Sequence, residues 1–401
     1  MPDVTPVPSS IAAARAFFPG TETGPYLDAA ARGLLYIGAR RAIDAMLDEQ
    51  MAGMLDKKKT VDTAETTRAA FAELIGAHPD EIAYTRNITD GIAAFAAALP
   101  WQPGDNVIVC DSLEHPANLF PWYGLVRKYG IEVKTIDQDS GSVPLDRLIA
   151  AIDNRTRAVS VATVSFAPGF RFPVAELGRA CRERGVLLAV DAAQSIGIIH
   201  TDVEAWNVDA LSASGQKGLM TLYGIGFLYV RRAVAESLDP VYVSRFGIDL
   251  GDGHEAQAGD AAHYRLAPGA RRFDVGNHNY LGAAAAGASI RLLLDLGPKR
   301  IEDHVMALSH RFAARMTEIG LPVFGGVSNA QASHIVTIGH AMGDAHDATS
   351  DTTMAALYDH LTANGVRLTV RRNLLRFSFH LYNNDADIDR VVSLCEAFLK
   401  R

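Results

Sequence analysis

Between about residues 81 and 230, short runs of apolar residues alternate with stretches whose apolar positions recur at helical spacing. Strands are predicted at 81–85, 106–110, 132–136, 158–164, 186–191, 210–213 and 226–230, with helices at 92–98, 145–152 and 174–184 between them. Several of the strands are apolar throughout, as expected of strands covered on both faces. This is the pattern of an open α/β sheet, mixed but mostly parallel and seven-stranded, whose ligands collect at the C-terminal ends of its strands. From 245 to 272 the periodicity fails, and a stretch rich in Gly, Ala and His reads as a long loop. A helix rich in Ala and Leu follows at 280–296 and is closed by Gly297-Pro298. Beyond it the chain reads as helix, strand (334–338), helix (354–364), strand (376–380), helix (388–399), a smaller α+β unit. The expected division is an N-terminal segment (1–20), a large domain including the linking helix (21–297) and a small C-terminal domain (298–401). A chain of 401 residues favours two cores over one.

Composition narrows the function classes. A hydrophobic share of 48% with 21% charged residues is that of an ordinary globular protein. The formal charge of −8 has no basic stripe to offset it, which argues against nucleic acid and against anionic membranes. Lys57-Lys58-Lys59 is the densest basic run and reads as a solvated helix face or turn. Three widely spaced cysteines, Cys110, Cys181 and Cys395, suit a reducing compartment and offer neither a disulfide framework nor a zinc site. With no secretory pattern and no apolar run long enough to span a bilayer, a cytoplasmic location is expected. Loop histidines (His254 and His263 with Asp260; His340 with His346) need no metal, and none is expected.

The chemistry centres on Lys217, just past the strand at 210–213, and on Asp191, which ends the preceding strand. A carboxylate at the end of one parallel strand and a lysine beyond the next suit pyridoxal 5'-phosphate. The lysine forms a Schiff base with the aldehyde, and the carboxylate keeps the pyridine nitrogen protonated. Tyr84-Thr85-Arg86-Asn87-Ile88-Thr89-Asp90-Gly91 runs from a strand into a helix, whose first turn offers free N–H groups and a hydroxyl from Thr89 to a phosphate. Taken alone the same residues make a plain N-cap, by Asn87 or Thr89. Ser214 and Gln216 flank Gly215 and could add donors. His115 would lie on the pyridine face, positioned for proton transfer, although its spacing alone reads as a loop histidine beside a turn proline. Gln194, three residues after Asp191, could donate to the cofactor's phenolic oxygen, or simply be part of a polar helix start. Gly224-Ile225-Gly226 precedes a strand and so does not fit a dinucleotide fingerprint.

Together these segments resemble the class V aminotransferase family of fold-type I pyridoxal phosphate enzymes, which includes cysteine desulfurases, selenocysteine lyases and isopenicillin N epimerase. The resemblance runs from Tyr26-Leu27-Asp28-Ala29-Ala30-Ala31 to Leu381-Tyr382-Asn383-Asn384, with Thr85–Gly91, Glu114–Asn118 with Phe120-Pro121-Trp122, Val190–Ser195, Ser214–Lys217 and Tyr223–Val230 as its specific motifs. It implies that Lys217 carries the cofactor, with Asp191 at the ring nitrogen, Gln194 at the phenolic oxygen and His115 on the ring. Thr89, Ser214 and Gln216, with the backbone N–H of Ile88, would hold the phosphate. Asn277, in Arg272–Asn279, falls where the family supplies a phosphate ligand from a partner subunit, which implies a homodimer with shared sites. Arg376 aligns with the residue that grips the substrate carboxylate, and its planar fork suits that task.

Four positions depart from the desulfurases. Gln216 replaces a histidine, Ile88 a threonine, and Phe166 a polar asparagine, so that an apolar wall shapes the substrate. The fourth departure is an absence: Val366–Asn373 runs into the arginine strand without the mobile loop that carries the desulfurase cysteine. Arg371 and Arg372 read equally well as an entrance favouring an acidic substrate and as a solvated loop. The expected enzyme acts on a small amino acid. The substrate amine displaces Lys217, which then removes the α-proton to give a quinonoid, leading to transamination or β-elimination of the C–S lyase type. The alternatives are a desulfurase or selenocysteine lyase using a cysteine from elsewhere, a racemase or epimerase, and a non-catalytic regulator that keeps the fold.

Overall fold

A computed structural model describes residues 8–250, 263–326 and 331–400. Seven strands form the main sheet: β1 (Ile82–Thr85), β2 (Asn106–Val109), β3 (Glu132–Thr135), β4 (Thr156–Ala162), β5 (Leu187–Asp191), β6 (Ala210–Ser214) and β7 (Gly226–Val230). Their spatial order is β1-β7-β6-β5-β4-β2-β3. Only β7 runs against its neighbours, pairing antiparallel with β1 and β6, while the other pairs are parallel. The predicted strands are therefore all present, with ends moved by one or two residues.

The apolar runs are explained by two cores. Ile108, Val159, Val161, Leu188, Val190, Leu211 and Phe227 face one side. Val107, Val109, Ala158, Ala189, Ala210 and Leu228, their chain neighbours, face the other, under the helices Ile88–Ala98 and Pro116–Tyr129. Successive strand residues point to opposite faces, so burial of both leaves no polar alternation.

The helix Tyr280–Leu296 matches its expected ends. Asn279 caps it by accepting from Gly282 N, and Gly297 (φ +88°) turns the chain into the helix Pro298–Glu318. Its alanine stripe lets the helix Lys57–Ile75 approach closely, with Thr67 Oγ1 donating to Ala283 O at 2.9 Å. The predicted loop ends in a short 3₁₀ turn, Gly269–Phe273, and Ile248 bridges to Leu266 within it.

A second sheet holds β8 (Ile335–Ile338), β9 (Thr369–Arg371) and β10 (Leu374–Ser378) in the antiparallel order β8-β10-β9. Strand β9 was not expected from the sequence. It joins β10 through Arg372 and Asn373, both left-handed (φ +52° and +72°), a tight turn made without glycine. The start of the chain crosses to this sheet: Leu27 N donates to Arg367 O and Ser378 N to Leu27 O, both at 2.8 Å. Among the described residues no helix is long and apolar enough to cross a membrane.

Candidate active site

The strand ends of β4, β5 and β6 and the start of the helix Ile88–Ala98 enclose a cleft with about 560 Å³ of empty space. Lys217, Asp191, Gln194, Ser214, Gln216, Ile88, Thr89, His115 and Phe166 all line it. Four of the residues singled out by sequence do not, Arg371 and Arg372 at the β9–β10 turn among them. Asn277 lies exposed on the surface, and Arg376 is buried behind Phe166.

Sheet register sets the central pair. Ala162 on β4 stands beside Asp191, which ends β5, and Asp191 stands beside Ser212 on β6. β6 ends at Ser214 and the chain turns through Gly215 and Gln216 to Lys217, so the acid and the amine open on one cleft. Burial pushes the Lys217 ammonium down to about 8; Asp191 opposes this, and Arg376 and Arg371 add to it. Burial raises the Asp191 carboxyl above the usual range, against the Ala193 N–H bond (2.8 Å) and Lys217. Burial thus moves each group toward its neutral form, the amine downward and the carboxyl upward.

Three contacts fix the turn that carries Lys217. Gly33 N donates to Gln216 O at 2.9 Å, and Met220 N to Lys217 O at 2.9 Å. His380 Nδ1 accepts from Leu381 N, so Nε2 carries the proton and donates to Gly218 O at 3.0 Å. Gly33 leaves no room for a side chain: a Cβ there would lie 2.2 Å from Lys217 O. Gly33→Ala is therefore expected to lower stability by about 1–3 kcal/mol and to weaken cofactor retention. Melting temperature and bound-cofactor absorbance measure the two effects, and a fully loaded variant of unchanged stability would contradict this account.

At the other end, Asn87 Oδ1 accepts from Asp90 N and caps the helix, so the N–H groups of Ile88 and Thr89 begin its first turn. The helix starts four residues before the predicted 92, because the cap precedes the apolar repeat. Ser212 Oγ donates to Ile88 O at 3.1 Å, pinning that turn to β6, and Gly91 permits the approach because a Cβ there would meet Ser212 Oγ at 2.4 Å.

His115 caps the helix Pro116–Tyr129, its Nδ1 accepting from Ala117 N at 3.1 Å. That leaves Nε2 with the proton. Burial, then Lys217 and the neighbouring His346, Arg376 and Arg371, push the ring down to about 4, so it is neutral at pH 7 and donates through Nε2–H. Phe166 meets it edge-on with centroids 5.4 Å apart. Arg376 Nη1 donates to Phe166 O (2.8 Å) and Nε to Thr369 Oγ1 (3.2 Å), while Nη2 lies 3.8 Å from Asp28.

Glu114 belonged to a motif but had no expected role. Its carboxylate accepts from Ala162 N (2.7 Å) and Asn118 Nδ2 (2.8 Å), tying the His115 loop to β4 beside Asp191. Burial pushes it up to about 8, with Asp191 adding to the rise. Neither the Glu114–Ala162 contact nor the His380–Gly218 contact is signalled by local sequence, because each spans more than forty residues.

Two buried polar atoms in the cleft wall, Gln194 Oε1 and Ser214 Oγ, have no hydrogen-bond partner among the described residues. Gln194 Nε2 donates one N–H to Ala30 O at 3.1 Å and has a second to give. Orphaned polar groups of this kind are rare unless a ligand satisfies them. Their position between a helix N-terminus and a lysine–carboxylate pair fits a phosphorylated aldehyde with a protonated ring nitrogen. Among the described residues no three His, Cys, Asp or Glu side chains cluster as a metal site. His254 and Asp260 lie outside the described residues.

The fold and cleft are those of a pyridoxal phosphate enzyme of the fold-type I class. Sequence comparison then places the chain: it belongs to the aminotransferase class-V family, whose profile matches residues 49–391. Its cofactor is accordingly pyridoxal 5'-phosphate. An uncharacterized aminotransferase of Bacillus subtilis, YcbU, is 27% identical over 94% of this chain and 95% of its own. A probable cysteine desulfurase of Pyrococcus abyssi is 29% identical over 84% of this chain and 83% of its own. The apo structure of a cysteine desulfurase from Thermococcus onnurineus superposes with a TM-score of 0.82 at 25% identity, covering 99% of each chain.

Proposed function

We propose that this enzyme acts on a small amino acid by transamination or by β-elimination, without a sulfur relay through its own cysteines. The observation that carries the reading is the state of the thiols. Cys110, Cys181 and Cys395 are all fully buried, and burial pushes them up to about 11, 12 and 12. A persulfide-forming thiol must be accessible and readily ionised. The segment entering the arginine strand is the tight β9–β10 turn, and it carries Arg372 and Asn373 at its tip.

When bound, pyridoxal phosphate supplies an aldehyde for amines and a ring that draws electrons from the α-carbon. In this reading Lys217 holds the cofactor and, once displaced by substrate, its neutral amine takes the α-proton. Asp191 keeps the proton on the ring nitrogen. The N–H groups of Ile88 and Thr89, the Thr89 hydroxyl, Ser214 and Gln216 hold the phosphate at the helix start. Gln194 donates to the phenolic oxygen, His115 covers the ring, and Phe166 walls the substrate. Arg376, buried but with Nη2 only loosely engaged, holds the α-carboxylate. Where Lys217 returns its proton, and whether a β-substituent leaves first, decides between the two reactions.

The dimer belongs to the same proposal. Asp274 is anchored inside by Arg68 (2.8 Å) and by Tyr84 N (2.8 Å), while Val275 and Asn277 just beyond are exposed. That display suits donation of Asn277 to a partner's phosphate site. Unpaired buried thiols are in keeping with a cytoplasmic enzyme.

A second reading, cysteine desulfuration with sulfur passed to an external thiol, is favoured by the name of the Pyrococcus relative. One experiment tests the proposal. The holoenzyme is incubated with a panel of L-amino acids while keto acid, pyruvate, sulfide and D-isomer are measured. The triple variant Cys110→Ala, Cys181→Ala, Cys395→Ala is expected to match the wild-type rate per bound cofactor within about twofold. Alanine with persulfide as the main products, lost in the triple variant, would refute it.

A further inference from the structure

The proposal above leaves the substrate side chain undefined, and the rim of the cleft addresses it. Phe166 lies between two imidazoles: His115 meets its edge, and His346 stacks over it with centroids 6.3 Å apart and planes at 25°. His346 Nδ1 is 3.1 Å from the carboxylate of Asp347, and the guanidinium of Arg371 grips the same carboxylate. Arg371 ends β9, the neighbour of the strand that bears Arg376, and its charge reaches Lys217, His115 and Arg376. Arg372, by contrast, is turned away, donating to Ser112 O and Gly343 O. The two arginines left open by sequence therefore separate: Arg372 braces the turn, and Arg371 pairs with Asp347 beside the Phe166–His346 stack.

Asp347 itself is unusual in this setting. Its side chain is 70% exposed, while the Arg371 side chain it pairs with is only 18% exposed. An exposed acid on an exposed loop has thus come to rest on an inward cation beside the substrate wall. Such a contact is cheaply broken, because a half-solvated ion pair contributes little. An incoming acid can take both of its partners at once.

We propose that the preferred substrate is an amino acid with a second acidic group on its side chain, which displaces Asp347 and is held by Arg371 and His346 while Arg376 holds the α-carboxylate. This rests on the reading of the cleft as an amino-acid site. Charge balance favours it. The side chains acting on His115 are Lys217, His346, Arg376 and Arg371. Arg376 has Asp28 at 3.8 Å and takes the α-carboxylate of any amino acid, whereas Arg371 rests on the exposed Asp347; a dicarboxylic substrate supplies a carboxylate for each arginine. Phe166 then serves as the flat floor along which the aliphatic part of the side chain lies.

The test is equilibrium titration of the holoenzyme, followed by the change in the cofactor's visible spectrum. The probes are L-aspartate and L-glutamate against L-alanine and L-serine. At least one acidic amino acid is expected to bind about tenfold more tightly than both neutral ones, the effect of one additional charge-assisted contact. Asp347→Asn, at an exposed position, is expected to widen that ratio by removing the competitor. Arg371→Leu is expected to bring it close to one, with Arg371→Lys between, and melting curves confirm that the variants fold. Neutral amino acids binding as tightly as acidic ones in the wild type would overturn the proposal, as would a ratio indifferent to Asp347→Asn and Arg371→Leu. Failure of every amino acid to perturb the spectrum would instead strike the underlying reading of the cleft.

Discussion

Lys217→Ala is expected to abolish the borohydride-fixed adduct and lower turnover by at least about 10³-fold, while far-UV circular dichroism stays unchanged. The site tolerates the truncation because the turn is fixed by backbone groups, through Gly33, Met220 and the His380–Gly218 contact. Activity surviving with less than a tenfold loss would show that another amine does the work. The same residue carries a pH signature. Capture of the aldehyde needs the unprotonated amine, and burial brings that amine from 10.5 to about 8. In the cofactor-free protein the capture rate should therefore climb as pH rises through about 8 and then level off. A rate still climbing above pH 10 would contradict the assignment. The sign for stability follows by linkage. The unfolded chain binds this proton below 10.5 and the folded chain only below about 8, so the stability present above 10.5 is lost as pH falls through that window.

Asp191→Asn is the second large effect. Asparagine keeps the size and can still accept from Ala193 N, so the fold and the covalent link to Lys217 are expected to persist. What disappears is the negative charge that holds a proton on the ring nitrogen, in a place where burial already gives the carboxyl a raised proton affinity. Exchange of the substrate α-proton with deuterated solvent is expected to slow by about 10³-fold. The visible band remaining while exchange is lost would separate this role from that of Lys217. Unimpaired exchange would remove Asp191 from the chemistry.

How much of this was legible in the sequence depends on the range of the interactions. The Asp191–Lys217 pair was readable because adjacent parallel strands carry their ends to the same edge, and each strand announced itself by a run of apolar residues. The helix Tyr280–Leu296 was readable to its last residue because Asn279 begins it and Gly297-Pro298 ends it. Strand β9 was not, since its turn is made by Arg372 and Asn373 in left-handed conformations, without the glycine that usually marks such a hairpin. The helix Ile88–Ala98 was read short because its first turn is held by Asn87 and by Ser212, which lies on another strand. Gly33 and His380 escaped notice for the same reason: their task is defined only by the turn they touch, far away in the chain. The partition of Arg371 and Arg372 likewise required knowing which way a two-residue turn throws its side chains.

The crossing of residues 26–33 has a consequence for biogenesis. This early stretch pairs with Arg367 and Ser378 near the chain's far end and then hands Gly33 to the backbone of Gln216. All seven main-sheet strands have been synthesised once Val230 is made, yet one of the three contacts that fix the lysine's turn, from His380 to Gly218, waits for the C-terminal segment. Closing so long a loop is slow. A chain truncated before this segment would carry Lys217 and Asp191 but lack both Arg376 and the His380 contact to the lysine's turn.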